Sequence, residues 1–398
     1  MTSNPVGFEI TNSTAGWNGA DFDDVFIRKD CFLEGGLWGW GFNQQGIMGT
    51  NNVTPRSSPV QTISGGTNWR SFSAKGLFTA SAIKTDGTLW LMGYNTNGFI
   101  GDNTRTNRSS PVQTVSGGTN WKCATAGTFY TAAIKNDGSL WTWGANAAGG
   151  LGNNNRIYSS SPVQTVSSGT NWKSVSSYTN TIGIKTDGTL WIWGSNTGGT
   201  LGDNRAVNVS SPVQTFSAGT NWKQATTGWF VHGAVKTDGS LWLWGNGSAT
   251  GGPGLLGNNL RSNVSSPVQT VSNVTTWKQV SAGCIHMAAI KTDGSLWLWG
   301  SGARGLLGTN DVINRSSPVQ TVSAGTNWRV VDIAYAHAAA IKTDGTLWTW
   351  GYNANSGRLG DNTLINRSSP VQTISGGTSW RSIHINSSST MATREDCW

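Results

Sequence analysis

The residues with the greatest chemical potential are four histidines, His232, His286, His337 and His384, and a cysteine, Cys284, two positions before one of them. A thiol beside an imidazole is the raw material of nucleophilic catalysis. Both residues, however, fall where a repeated unit passes from a turn into a strand, and i and i+2 side chains of a strand do not by default hold the hydrogen-bond geometry of a nucleophile and its base. All four histidines occupy strand or turn positions set by that repeat and are read as structural. Asp86, Asp137, Asp187, Asp238, Asp293 and Asp344 each precede a glycine, where the carboxylate favours the turn itself, so they are no catalytic set. The Gly-Asp-Asn strings ending at Asn103, Asn204 and Asn362 offer oxygens of the kind Ca²⁺ takes, but turn chemistry accounts for them. The glycine-rich stretch starting at Gly245 lacks the βαβ setting of a dinucleotide fingerprint. Cys31, Cys123, Cys284 and Cys397 form no CxxC pair. No catalytic residue, metal site or cofactor is expected, and the chain reads as a non-enzyme.

The elements that carry these residues come from a repeat of about 50 positions. The string LWxWG begins at Leu37, Leu89 (with Met92 for the second Trp), Leu140, Leu190, Leu241, Leu296 and Leu347. SPVQT begins at Ser58, Ser110, Ser161, Ser211, Ser266, Ser317 and Ser369, and a Trp followed by Lys or Arg stands at Trp69, Trp121, Trp172, Trp222, Trp277, Trp328 and Trp380. Each unit reads as four strands, with an Asp-Gly turn between the second and third that predicts a two-residue hairpin loop with φ > 0 at both positions. In LWxWG the two Trp share one face while Leu and the middle residue share the other. A strand apolar on both faces must be covered on both sides, and stacking seven such sheets into a closed ring does that without leaving end sheets exposed. The expected fold is therefore an all-β, seven-bladed β-propeller of four-stranded antiparallel blades.

The string AIKTDGTLWTWGYNANSGRLGDN from Ala340 to Asn362, repeated from about Glu34 onward, resembles the repeat of the regulator of chromosome condensation family, in forms like its phage and bacterial members. The resemblance implies the same seven-bladed fold. It also implies nucleotide exchange on a small GTPase, or chromatin binding, as functions of the eukaryotic members. This chain departs from the family pattern where Gly-Gln-Leu-Gly becomes Gly-Arg-Leu-Gly or Gly-Thr-Leu-Gly, and where the His before the second strand survives only at His286 and His337.

The ring is expected to close in a blade shared by both chain ends. The stretch from Arg381 to Asp396 supplies its first two strands and the stretch from Leu37 to Thr62 the other two. Residues 1–36 then form an N-terminal segment and seam strand, and 37–398 the propeller. Glu34-Gly35 and Cys397 compete for one turn at this seam, which would bring Cys31 and Cys397 together, as a disulfide or as thiols.

Up-and-down strands sort the turns onto two faces. The face of the Asp-Gly turns is nearly identical from copy to copy and collects Lys84, Lys135, Lys185, Lys236, Lys291 and Lys342, together with the cation after each first-strand Trp. Most of the net charge of +8 is expected there, as a docking ring for an acidic partner or anionic surface. The opposite face varies. Its short turns contain Leu77-Phe78, Phe129-Tyr130, Tyr178, Trp229-Phe230, Ile285-His286 and Tyr335, and Trp229 departs from the repeat template. Phe78, Tyr130, Tyr178, Trp229, Phe230, His286, Tyr335 and His337 are the expected ligand-binding set. The large aromatics among them are expected to be exposed until a partner covers them.

Charged residues make up only 12% of the chain, and 54 glycines and 23 tryptophans accompany abundant Ser, Thr and Asn. The first twenty residues lack the basic and apolar runs of a secretion signal, and no stretch approaches the ~18 apolar residues of a membrane span. No membrane insertion is expected. Nucleic acid is not an expected partner either, because no basic cluster is interleaved with stacking aromatics. These features, and a resemblance to such proteins, give the expected function: a non-enzymatic recognition or structural component of a phage-type virion, in the tail or host-contact apparatus. It would dock on a protein partner in a larger assembly and bind a glycan or protein surface. The alternatives are an extracellular, cell-surface adhesin and a GTPase exchange factor or chromatin-binding propeller. The largest irregularity, the slightly lengthened loop near Gly251-Gly252-Pro253-Gly254, is short for an element that must wedge open a nucleotide site.

Overall fold

A computed structural model describes residues 35–395 apart from positions 64–65, 67, 167–168, 218, 249–253, 271–273 and 324. Cys31, Cys397 and their pairing, Glu34, the N-terminal segment and most of the 251–254 loop lie outside the described residues. Among the described residues, twenty-eight strands form seven four-stranded antiparallel sheets, the blades of a β-propeller. Six blades are continuous, spanning 69–113, 121–164, 172–214, 222–269, 277–320 and 328–372, and are numbered 1 to 6 here. In each, the strands run in sequence order from the centre outward.

Blade 7 is the seam. Its strands are ordered Arg56–Gln61, Gly35–Gly41, Ser389–Glu395, Trp380–Ile385, so both ends of the chain build one sheet, as the repeat register requires. Pairing runs unbroken from Gly35 opposite Glu395 to Gly41 opposite Ser389.

Packing between blades follows from the third strand. In LWxWG the second Trp is fully buried, and in blades 2 to 6 its indole N–H reaches back to the loop of the preceding blade: Trp143 Nε1 donates to Phe99 O at 2.8 Å, Trp193 to Gly150 O at 2.9 Å and Trp350 to Leu306 O at 3.0 Å. Glycine is required where the loop passes over the indole, since a Cβ at Gly101 would stand 2.6 Å from Trp143 Nε1. The first-strand Trp meets the same indole edge to face, with Trp121 and Trp143 centroids 6.2 Å apart. Each apolar cluster therefore lies between two blades.

The Asp-Gly turn differs from the two-residue loop expected. Gly87 N–H bonds Lys84 O at 2.9 Å, Lys84 N–H bonds Thr88 O at 3.0 Å, and only Gly87 has positive φ, at 80°. This is a three-residue loop, Thr85-Asp86-Gly87, closed by a left-handed glycine. Asp86 Oδ1 accepts from the Thr88 backbone N–H at 2.8 Å and its hydroxyl at 2.6 Å, and that hydroxyl accepts from Trp90 Nε1 at 2.8 Å. The glycine is needed for a second reason: a Cβ on Gly87 would stand 2.0 Å from Thr119 O, in the connection to the next blade. At the seam Gly36 replaces this Thr, and the buried Trp38 Nε1 is left without a partner.

Candidate functional site

On the uniform face every lysine of the expected docking ring lies over two indoles. Lys84 Nζ is 5.2 Å from the Trp69 centroid and 4.5 Å from that of Trp90, and Lys135, Lys185, Lys236, Lys291 and Lys342 repeat this. In blade 7 Arg394 takes the place, over Trp38 and Trp380. These cations are half-buried parts of the repeat. Positive charge also stands on the opposite side of the disc. Lys75 and ten arginines, in the third-to-fourth-strand loops and the strand starts they lead into, outnumber Asp102, Asp203, Asp311, Asp332 and Asp361 on the other side.

On the variable face the eight expected ligand residues divide by depth. Tyr130 and Tyr178 are 3% and 1% exposed, so the expectation of exposure fails for these two aromatics, and His286 and His337 are buried as well. Tyr130 fills the space left by Gly150, whose Cβ would lie 2.2 Å from the Tyr130 ring. Tyr178 stands in a turn one residue shorter than its counterparts and reaches two blades on, where its hydroxyl meets Cys284 Sγ at 3.1 Å. Phe78 is half-buried against Phe42 and Tyr94. Tyr335 stays open, at 49% exposed.

A compact aromatic group gathers beside these. Trp229, half-buried, contacts Phe129 at 6.5 Å, Tyr178 at 6.0 Å and Phe230 at 6.2 Å between ring centroids. Phe129 is the exposed member, at 42%, where the sequence had favoured its neighbour Tyr130. Trp229 N–H donates to Gly283 O at 3.2 Å, and the Thr179 hydroxyl donates to the carbonyls of Gly228 and Trp229, so three turns are held together under the cluster.

The inner strands carry a site that the sequence reading missed. Four positions after each first-strand Trp stand Ser73, Thr125, Ser176, Thr226, Ser281, Asp332 and His384, a ring of polar side chains at the inner edge. Its members join blades by accepting the next blade's N–H: Thr125 from Ser177, Thr226 from Ala282, Ser281 from Ile333 and Asp332 from Ile385. Asp332 also accepts from the Ser281 hydroxyl at 2.7 Å and lies 3.6 Å from His384 Nδ1. Lys75, the extra residue of a turn one position longer than its counterparts, crosses from blade 1 to donate to Thr226 of blade 4. Burial lowers the Lys75 pKa against the raising field of Asp332. The Asp332 carboxyl sits below its ordinary value: burial, its largest single influence, opposes this but is outweighed by His384, Lys75 and Ser281. The signals were legible as departures from the repeat: an inserted cation, and two charged types in a ring of hydroxyls.

Nucleophilic chemistry is not set up at Cys284. Burial pushes its thiol up to about 12 and His286 down to about 3, holding both neutral. In the Gly-Asp-Asn strings the carboxylates serve arginine: Asp102 binds Arg108 at 2.6 Å and Asp361 binds Arg367 at 3.0 Å. Two loop arginines differ. Arg304 and Arg358 both lie over Tyr352, at 4.2 and 4.8 Å from Cζ to the ring centroid. Arg304 takes φ 60° and ψ 19°, a left-handed backbone that costs a residue with a Cβ roughly 1–2 kcal/mol.

The model of the regulator of chromosome condensation (RCC1) repeat matches residues 137–177 and 293–340. The mitochondrial RCC1 domain-containing protein RUG3 of Arabidopsis thaliana is 28% identical over 343 residues, which cover 82% of this chain and 64% of that protein. The chain thus spans just under two thirds of that relative's length. Among solved structures, Prp20p of Saccharomyces cerevisiae, described with its binding to Gsp1p and histones, superposes with TM-score 0.80 at 15% identity over 92% of both chains. Human WBSCR16 does so with TM-score 0.79 at 18% identity, over 92% of this chain and all of that one.

Proposed function

Because the chain is an RCC1-type β-propeller, we propose that it is a non-catalytic docking disc whose variable face binds a partner protein. The observation that carries this is the aromatic cluster of Phe129, Trp229 and Phe230 on buried Tyr178, where rings from three successive blades converge. Rigid aromatics lose little entropy on binding and are favoured at the centres of protein interfaces. The uniform face is the weaker candidate, because its lysines are engaged on indoles. A virion tail or host-contact role and an adhesin role gain no support from the relatives. Exchange on a small GTPase, or chromatin binding, is the finer reading the family favours, and the Gsp1p and histone binding of Prp20p supplies its candidates.

The test places a photo-crosslinking residue at Phe129 or, as control, at Lys122 on the uniform face, then measures the captured partner in purified form. Phe129→Ala and Trp229→Ala should each weaken its affinity at least tenfold, while Lys122→Ala leaves it unchanged. Loss of binding through Lys122 with both aromatic variants intact would transfer the function to the uniform face. Release of fluorescent GDP from a small GTPase, measured with the same variants, decides the exchange reading.

A further inference from the structure

Four of the ten arginines in and beside the long loops hold a carboxylate. Arg108, Arg205, Arg315 and Arg367 are each bonded to Asp102, Asp203, Asp311 and Asp361. Arg304 of blade 5 and Arg358 of blade 6 differ from the other loop arginines in sharing one aromatic ring. Their Cζ atoms lie 4.2 and 4.8 Å from the same Tyr352 centroid, so they are at most 9.0 Å apart, yet neither is paired with an acid among the described residues. Two guanidiniums gathered on one ring without a counterion repel each other. Burial and Arg304 together lower Arg358 to about 10.

The geometry is built rather than incidental. Arg358 is only 8% exposed, and its fork is fixed by Nε donating to Ser356 Oγ at 2.9 Å and Nη1 donating to Ser387 O at 2.8 Å. Arg304 is exposed and stands where blade 3 has Gly198, in a backbone conformation natural to that glycine and strained for arginine. The repeat supplies neither residue: no other copy has an arginine between the two glycines that flank Arg358, or immediately before the glycine that follows Arg304. A strained arginine held beside a buried one is the arrangement expected of a ligand clamp.

We infer that Arg304, Tyr352 and Arg358 form a binding site for a phosphate-class oxyanion on the variable face. Two planar guanidiniums held at one ring from two blades suit a tetrahedral anion with several acceptor oxygens, and a phosphate touching both would set their Cζ atoms roughly 8 Å apart. Tyr352 orients both forks through its ring face. The phosphate can be free or carried by a phosphorylated partner.

Isothermal titration of the full chain decides between these outcomes, with inorganic phosphate, a phosphoserine peptide and its unphosphorylated form at constant ionic strength. Saturable phosphate binding is expected, weakened at least tenfold in Arg304→Gly, which removes the guanidinium and relieves the backbone, so its thermal midpoint should hold or rise. Arg358→Lys should weaken binding similarly by losing the fork. A phosphopeptide that binds more tightly than inorganic phosphate identifies a partner-borne group, and equal affinity identifies the free ion. Wild-type affinity in Arg304→Gly, or phosphate heats matched by chloride, overturns the site.

Discussion

The two faces of the disc are built from the same seven copies, yet they solve different problems. On the uniform face the turn side chains repeat one task inside their own blade: Asp137 caps Ser139, Ser139 receives Trp141, and Lys135 covers Trp121 and Trp141. On the variable face, repeated contacts such as Arg108 to Asp102 are joined by contacts between blades that are made once, as when Lys75 crosses to Thr226 or Tyr178 reaches Cys284. Repetition marks what every blade needs in order to fold. A contact made in a single place marks what the ring as a whole does.

The comparison can be broken most forcefully at the shared core. Trp244→Ala should cost about 3–5 kcal/mol in urea unfolding, and Trp193→Ala the same within error, because both fill equivalent gaps between blades. Unequal losses would show that the blades are not equivalent. A smaller effect separates the faces by pH. Burial depresses His232 and His286 to about 3, so the folded state binds fewer protons than an unfolded chain with ordinary histidines near 6.5. Stability from this source is complete above 6.5 and lost as pH falls from 6.5 toward 3. At pH 5 each should cost roughly 2 kcal/mol, and His286→Gln should flatten the slope of stability against pH by one proton. An unchanged slope would refute the buried neutral state.

Smaller again is the turn. Asp238→Ala removes two hydrogen bonds to Ser240 at a solvent-exposed loop and should cost about 1 kcal/mol, with Asp293→Ala matching it. The smallest stability change belongs to Phe129→Ala, within about 0.5 kcal/mol by thermal unfolding while partner affinity falls. Tyr178→Ala should behave differently. Its ring is buried, and its loss should resemble a core truncation.

Blade number, strand order and the seam were legible because seven aligned copies average out local noise and because Leu37 and Trp380 fall at fixed points of the period. The depth of Tyr130, Tyr178, His286 and His337 was not. A turn residue's exposure depends on how far it leans into the neighbouring blade, which periodicity does not encode. Phe129 and Tyr130 are adjacent and aromatic, and only the space over Gly150 decides which one is inside. Lys75, Asp332, Arg304 and Arg358 were visible as departures from the template, but their meeting across blades depends on ring closure in three dimensions.

The seam also has a mechanical meaning. Gly35 and Glu395 face each other at one end of an antiparallel pair, so tension applied through the flanking chain would peel those strands apart one hydrogen bond at a time instead of shearing them together. Pulled from its ends, the ring should open at blade 7 under a modest force. Pulled through two points on the rim of blades 2 and 5, it should resist until whole interfaces between blades give way at once.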